Sequence, residues 1–343
     1  RNGGNDLNAY TSKDLTSYHV SLPVSRLELW ANVVVDMIFD PQYREFYTER
    51  NVVAEERRVR VENSPDGLLY EKLLSEAFVD GPYHWGTIGY EKDISNLTIG
   101  DAKEFHSKYY VPNNMIGVLV GDFKISEAKR IIEKTFGHYP AGKKPALATN
   151  SGKAVGDIVE HFSYKAEPSL IVAFHKPTLP DPTEYTFDVI NALLCSGESS
   201  RLRKRLIYEK KMVQDISCSV SFPGSRLNNL FSIWIDPLKK YSSDQILNEI
   251  YSELNSLKTQ PVGPEDLSRI EHQVTSGFIF SLDENMKLAQ GLAEFETIFG
   301  DWRFLVNYPE KIKEVNSAKI MEVANKYFSE KNRVVVERVR GNK

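Results

Sequence analysis

From Arg26 to Phe39 apolar residues recur at three- and four-residue spacing, the period of a helix with one buried face, whereas Tyr18-His19-Val20-Ser21-Leu22 alternates as a strand does. Asp40 followed by Pro41 reads as a helix start, an N-cap ahead of the residue favoured at the first helical position. That helix is expected to run from Pro41 to about Asn63, where Ser64-Pro65-Asp66-Gly67 stops it. Further helices are predicted from Thr98 to Tyr110 and from Ile125 to Phe136, with the apolar run Ile116 to Gly121 between them as a strand. After a stretch rich in Pro, Gly and small residues, the alternation resumes. Strands are predicted at Ile158 to Phe162, Leu170 to His175, Ile216 to Val220 and Asn229 to Ile235, with a helix at Thr183 to Leu194 and helices to the end.

The second half echoes the first. Lys108-Tyr109-Tyr110, then Asn114 and an apolar run, recurs as Lys326-Tyr327-Phe328, then Asn332 and Val334-Val335-Val336. The fold class is therefore read as α+β, with two similar domains related by duplication, each a mostly antiparallel sheet packed with helices. The boundaries are residues 1–140 for the first domain, 141–156 for the linker and 157–343 for the companion domain.

Within the predicted helix 41–63, Glu49 and Glu56 stand seven residues apart, nearly two turns, and so share one face. Phe46, Val52, Val53 and Val59 mark that face as the apolar stripe. A carboxylate turned toward a core requires a cation. Arg60, four residues beyond Glu56, supplies one as an ordinary salt bridge; a metal is the alternative, with Glu56 as ligand and Glu49 as the acid behind it.

The bulk composition removes some classes of function. The chain has 343 residues, 41% of them hydrophobic, enough for a core in each of two domains. A net charge of −4 with acids and bases interspersed carries no electrostatic footprint for nucleic acid, and no apolar run reaches the length of a membrane span. The two cysteines, Cys195 and Cys218, form no CxxC and read as buried thiols. None of the seven histidines stands three, four or five residues from another, so no local pair can bind zinc from one helix. Glycine-rich phosphate loops and a Gly-x-Ser-x-Gly elbow are both absent. The compartment is left open; a periplasmic or secreted location is preferred for a bacterial chain, with cytoplasm or an organelle matrix as alternatives.

Several ordered blocks resemble the pitrilysin or insulinase family of zinc peptidases, the inverzincins that include the mitochondrial processing peptidase. The run Gly3 to Tyr18 is similar to that family's Gly, Asn-Ala-x-Thr, Asp-x-Thr-x-Tyr segment, and Glu49 to Glu56 to its Glu-Arg-x-x-Val-x-x-Glu. Pro82-Tyr83 with Gly89 follows, then Phe105 through Pro112-Asn113-Asn114-Met115 to Val120-Gly121-Asp122. The resemblance implies a peptidase in which the two histidines of His-x-x-Glu-His bind Zn²⁺ and the intervening Glu activates water. It makes Glu56 the third metal ligand, Glu49 its support, and Asn8, Ala9, Tyr10 and Thr11 an edge strand that pairs with extended peptide substrate. The His-x-x-Glu-His segment is expected upstream, so on this reading the first domain is N-terminally truncated and the zinc site incomplete in this chain, which alone is inactive.

A second departure lies after Ser199-Ser200-Arg201-Leu202, where the resemblance expects an Arg and a Tyr that meet substrate. Ile207 and Gln214 occupy those positions, with Arg205 and Tyr208 nearby but displaced. The implied partners are a second subunit of the same family carrying the Arg and Tyr, or a second copy in a homodimer, with the missing histidine segment also conceivable as a separate piece. The alternative is a non-catalytic structural or peptide-binding subunit of the same fold.

Overall fold

A computed structural model describes residues 3–341. In chain order the elements are β1 (Asn5–Thr11), β2 (Thr16–Ser21), α1 (Leu27–Phe39), α2 (Phe46–Arg57), α3 (Pro65–Ala77), α4 (Glu91–Asn96), α5 (Ile99–Tyr109) and α6 (Ile125–Phe136). They continue as β3 (Ile158–Tyr164), β4 (Ser169–Lys176), α7 (Thr183–Leu194), α8 (Arg201–Arg203), β5 (Val213–Phe222) and β6 (Asn229–Pro237). The chain closes with α9 (Ser243–Thr259), α10 (Pro264–Phe280), α11 (Asn285–Phe299), α12 (Arg303–Val306), α13 (Tyr308–Lys313), α14 (Ser317–Tyr327) and β7 (Arg333–Arg340). The elements form two compact units that interleave along the chain. One comprises residues 1–57, 87–147 and 281–305, the other 58–86, 148–280 and 306–343.

In the first unit β1 and β2 form an antiparallel hairpin, with Asn8 opposite His19 and Thr11 opposite Thr16. Ser12 closes the turn: its backbone N–H donates to the Leu15 carbonyl at 2.9 Å, and its hydroxyl accepts from the N–H groups of Asp14 and Leu15. Helix α1 buries Ala31 and Val35 toward α6, which buries Ala128 and Ile131. Phe39 stacks on Tyr139 at 3.9 Å at the end of that contact.

The helix expected over 41–63 is broken into parts. Asp40 caps the C-terminus of α1, its N–H donating to the Asp36 carbonyl at 2.9 Å. Pro41 lacks an N–H to continue α1 and disfavours helical geometry at Asp40, so the pair ends one helix instead of starting another. Helix α2 begins only at Phe46 and passes at Arg58 into a single π turn, Arg58–Glu62. The predicted stop at Ser64 is in turn a start. Ser64 Oγ accepts from the N–H of Gly67 at 3.1 Å, and Pro65 is the first residue of α3.

The second unit is built on a five-stranded sheet in the order β3-β7-β4-β6-β5. Only β3 and β7 are parallel; the other neighbours are antiparallel. All of β4 except His175 is buried, which is why Leu170 to Phe174 reads as an unbroken apolar run. Successive residues face opposite layers. Ile171, Ala173, Val334 and Val336 pack with Leu69, Leu73 and Leu74 of α3, while Phe174 and Phe231 meet Phe328 and Phe187 on the α7 and α14 side. Buried Arg338 fixes α3 to β7 by donating to Asp66 at 2.6 Å. Residues 148–156, within the Pro- and Gly-rich stretch, are tied to this unit. The N–H of Val79 donates to the Lys153 carbonyl, that of Val155 to the Ala77 carbonyl, and that of Lys153 to the carboxylate of Asp80 at 2.7 Å.

The repeated motif has one geometry in both units. Asn114 Nδ2 donates to the Tyr109 carbonyl at 2.9 Å and Asn332 Nδ2 to the Tyr327 carbonyl at 2.8 Å, each closing a short 3₁₀ turn after a helix. The strands that should follow differ. Residues 333–340 form β7 inside the sheet, whereas the strand expected at Ile116 to Gly121 joins no ladder among the described residues. Its apolar composition suits a sheet, but no strand among the described residues lies alongside to supply backbone partners.

Candidate functional site

Glu49 and Glu56 both lie on α2, so their seven-residue spacing does place them on one face. The face is not the one expected. Glu49 is exposed and Glu56 half-buried, and Val52, Val53 and Val59 are 54%, 37% and 61% exposed. The inward positions belong instead to Arg50 and Arg57, also seven apart and one residue, about 100°, further round the helix. Arg57 is the one buried residue of α2; its guanidinium donates to the Gly89 carbonyl and lies 5.6 Å from the centre of the Tyr90 ring. Arg50 donates to the Leu97 carbonyl at 3.1 Å, capping the end of α4. Apolar counting missed this because long arginine stems pack as hydrophobes while their ends find carbonyls. The signal was an Arg seven residues before another Arg.

Asn8, Ala9, Tyr10 and Thr11 fall on β1, as the resemblance implies, and every residue of β1 is exposed. The strand pairs with β2 on one side. Asn8 Oδ1 accepts from the N–H of Ala9 at 2.8 Å, and the Tyr10 ring lies 6.1 Å from that of His19. Tyr18 of β2 and Tyr110 share a hydroxyl contact of 2.7 Å, and burial first, then that hydrogen bond, raises the Tyr110 phenol well above its usual range.

In the other unit, Ile207 is half-buried in the π-helical turn Lys204–Glu209 and Gln214 is exposed on β5. The displaced pair is engaged elsewhere. Arg205 donates to Glu249 at 2.6 Å and to Glu253 at 2.7 Å, and the Tyr208 hydroxyl donates to Glu198. Cys195 and Cys218, read as separate thiols, are joined in a disulfide between the end of α7 and β5, with Cα atoms 5.7 Å apart. Their 23-residue separation hid the pairing; only the topology brings the two positions together.

A group of buried charges links the end of β4 to α7. Lys176, 2% exposed, donates to Glu184, whose other oxygen accepts from Ser221 at 3.1 Å. One helical turn on, Asp188 accepts from Tyr308. Burial, then the Glu184 charge, pushes the Asp188 carboxyl up to about 7, while burial lowers the Lys176 ammonium against the pull of Glu184.

The donors of this chain do not by themselves fit zinc. Among the described residues no group of three or more His, Cys, Asp or Glu side chains is arranged to hold a metal ion, and Glu56 offers a single carboxylate where three protein ligands are needed. No helix among them is long and apolar enough to cross a membrane.

Comparison with known proteins adds what the side chains alone do not. Residues 96–274 match the family described as Peptidase M16 inactive domain, and residues 1–89 match Insulinase (Peptidase family M16). A protein of Helicobacter pylori named zinc protease PqqE is 29% identical over 94% of this chain and 74% of its own length. A probable mitochondrial-processing peptidase subunit beta of Arabidopsis thaliana is 21% identical over 96% of this chain and 64% of its own. The crystal structure of a protease from Helicobacter pylori superposes with a TM-score of 0.88 at 26% identity, covering 98% of this chain and 82% of that one. With a peptidase-like α+β fold whose sheets are mainly antiparallel, and family matches over residues 1–89 and 96–274, the chain belongs to the insulinase, or M16, family of peptidases.

Proposed function

We propose that this chain is a subunit of a zinc-dependent peptidase acting on extended peptides, and that it contributes Glu56 as one carboxylate ligand of a zinc site whose imidazoles lie on a His-x-x-Glu-His segment outside these residues. The observation that carries the reading is the placement of Glu49 and Glu56 on one face of α2, with Arg50 and Arg57 turned inward in their stead. That division puts the two carboxylates on a different face from the inward arginines. Glu49 orients and supports Glu56. The exposed strand β1, with Asn8, Ala9, Tyr10 and Thr11, receives the peptide by strand addition, in which main-chain groups give affinity and side-chain pockets give selectivity. The Arg and Tyr that Ile207 and Gln214 replace come from a second subunit of the same family or from a second copy.

Zinc titration tests the ligand assignment. The chain mixed with a His-x-x-Glu-His segment is expected to bind one zinc, and Glu56→Gln to weaken that binding about 10- to 100-fold. Zinc affinity unchanged by Glu56→Gln sinks the assignment.

Ile207 and Gln214 also favour a second reading, a peptide-binding subunit without catalysis of its own. Its mark is tight binding of an extended peptide by the zinc-free chain, with no cleavage when the histidine segment and zinc are supplied.

A further inference from the structure

The chain has two cysteines, and they meet. Cys195 is the C-cap residue of α7, 8% exposed, its N–H donating to the Asn191 carbonyl at 2.8 Å. Cys218 is half-buried on β5, opposite Ile233 of β6. Strand β5 is an edge of the sheet, and its register with β6 shifts on both sides of Cys218, between Val213 and Asp215 and between Ser219 and Phe222. An edge strand held by one interrupted ladder is weakly attached on its own.

The ring closed by the two cysteines contains the turn Ser196 to Ser200, helix α8, the π turn and the first half of β5. Its lower part is anchored by buried Leu202 and Leu206 and by Arg203, which donates to Asp215 at 2.8 Å and to the Ile216 carbonyl at 2.9 Å. Its outer part, Gly197 to Ser199, is exposed, and long side chains reach it: Gln273 at 3.1 Å to Ser196 and Arg269 at 3.5 Å to Ser199. The disulfide is the covalent tie at the base of that turn.

We propose that this chain matures in an oxidising compartment as the substrate of a thiol oxidant that bears a reactive disulfide, and that the Cys195–Cys218 bond clamps residues 196–217. In the step, the Cys195–Cys218 S–S bond forms as the oxidant's S–S bond breaks, and the two protons and two electrons given up by the two thiols pass to the oxidant, whose disulfide becomes two thiols. Structural disulfides form and persist in oxidising compartments and are rare in the reducing cytosol. The inference stands apart from the peptidase reading, which assigns neither cysteine a role in holding metal or peptide.

The full chain, exported to a bacterial periplasm, is assayed for thiols in denaturant and for intact mass. The expected result is no titratable thiol and a mass two hydrogens below that of the reduced chain; two titratable thiols overturn the proposal. Hydrogen exchange of residues 196–217 then compares oxidised, reduced and C195S/C218S protein. Reduction is expected to speed exchange there about tenfold or more while β4 and β7 stay unchanged. Equal exchange in the two redox states of the wild type rules out the clamp, whether or not the double variant folds.

Discussion

Asp188 couples the stability of the fold to pH. It lies one turn from Glu184 on α7, accepts from Tyr308, and is kept partly protonated near neutrality by burial and by the Glu184 charge. Its folded value of about 7 stands above the roughly 4 of an unfolded aspartate, so between those limits the folded chain binds more protons than the unfolded one. Its contribution to stability is therefore full below about pH 4, declines as pH rises toward 7, and is gone above it. Urea unfolding from pH 4 to 8 is expected to show this decline, and Asp188→Asn, which keeps the shape without the charge, to flatten it and to be at least as stable as wild type at pH 8. A variant that keeps the wild-type slope assigns the decline to other groups. Lys176 obeys the opposite logic. Removing it strands Glu184 in the interior, and Lys176→Met is expected to cost about 3–5 kcal/mol, with Glu184→Gln in the same chain recovering part of that loss. No loss of midpoint in Lys176→Met, or no recovery in the double variant, ends this account. Neither group was legible in the sequence. Lys176 and Glu184 are eight apart across a loop, a spacing without meaning until the chain turns back.

At the scale of elements, regular periodicity was the dependable signal. Helices α6 and α7 fall where the apolar spacing put them, from Ile125 to Phe136 and from Thr183 to Leu194, and the repeat around Asn114 and Asn332 marks one turn built twice. Local punctuation was ambiguous, because a polar residue before a proline suits either end of a helix. Asp40-Pro41 ends α1 and Ser64-Pro65 begins α3, the reverse of the expectation, and what decides is whether the polar residue's N–H already has a carbonyl four residues back. Gly67, third residue of α3, shows how packing overrides propensity. Helix propensity alone predicts that Gly67→Ala gains up to about 1 kcal/mol. A Cβ there would stand 2.1 Å from the Arg60 carbonyl oxygen and 2.7 Å from the Val61 Cα, backbone atoms of the π turn that cannot rotate away. The clash wins, and Gly67→Ala is expected to lose about 1–3 kcal/mol in urea unfolding. A stabilised variant shows instead that the π turn yields.

Over the whole molecule burial is uneven, and the imbalance falls on the unit that carries Glu49 and Glu56. Among the described residues the first unit contributes only Ala31, Val35, Ile94, Ala128, Ile131 and Leu305 to the buried apolar core, while the second holds the entire β4–β7 sheet interior. Leu29, Val33 and Met37, spaced by four along α1, are 38%, 55% and 44% exposed, and the apolar run Ile116 to Val120 has no ladder. Burial of apolar surface is the main favourable term in folding, so the first unit is expected to open at a lower free energy than the second. Hydrogen exchange on the intact chain should show α1, α2 and α6 exchanging well before β4, β6 and β7, and urea should unfold the chain in two steps. The proposed function adds a direction to this. A His-x-x-Glu-His segment that shares a metal site with Glu56 must bind on the first unit, so adding that segment with zinc is expected to slow exchange in α2 and its neighbours and to leave the second sheet as it was. Protection rising equally in both units, or in neither, separates the carboxylates of α2 from any metal site and leaves the exposed face of that helix without its proposed partner.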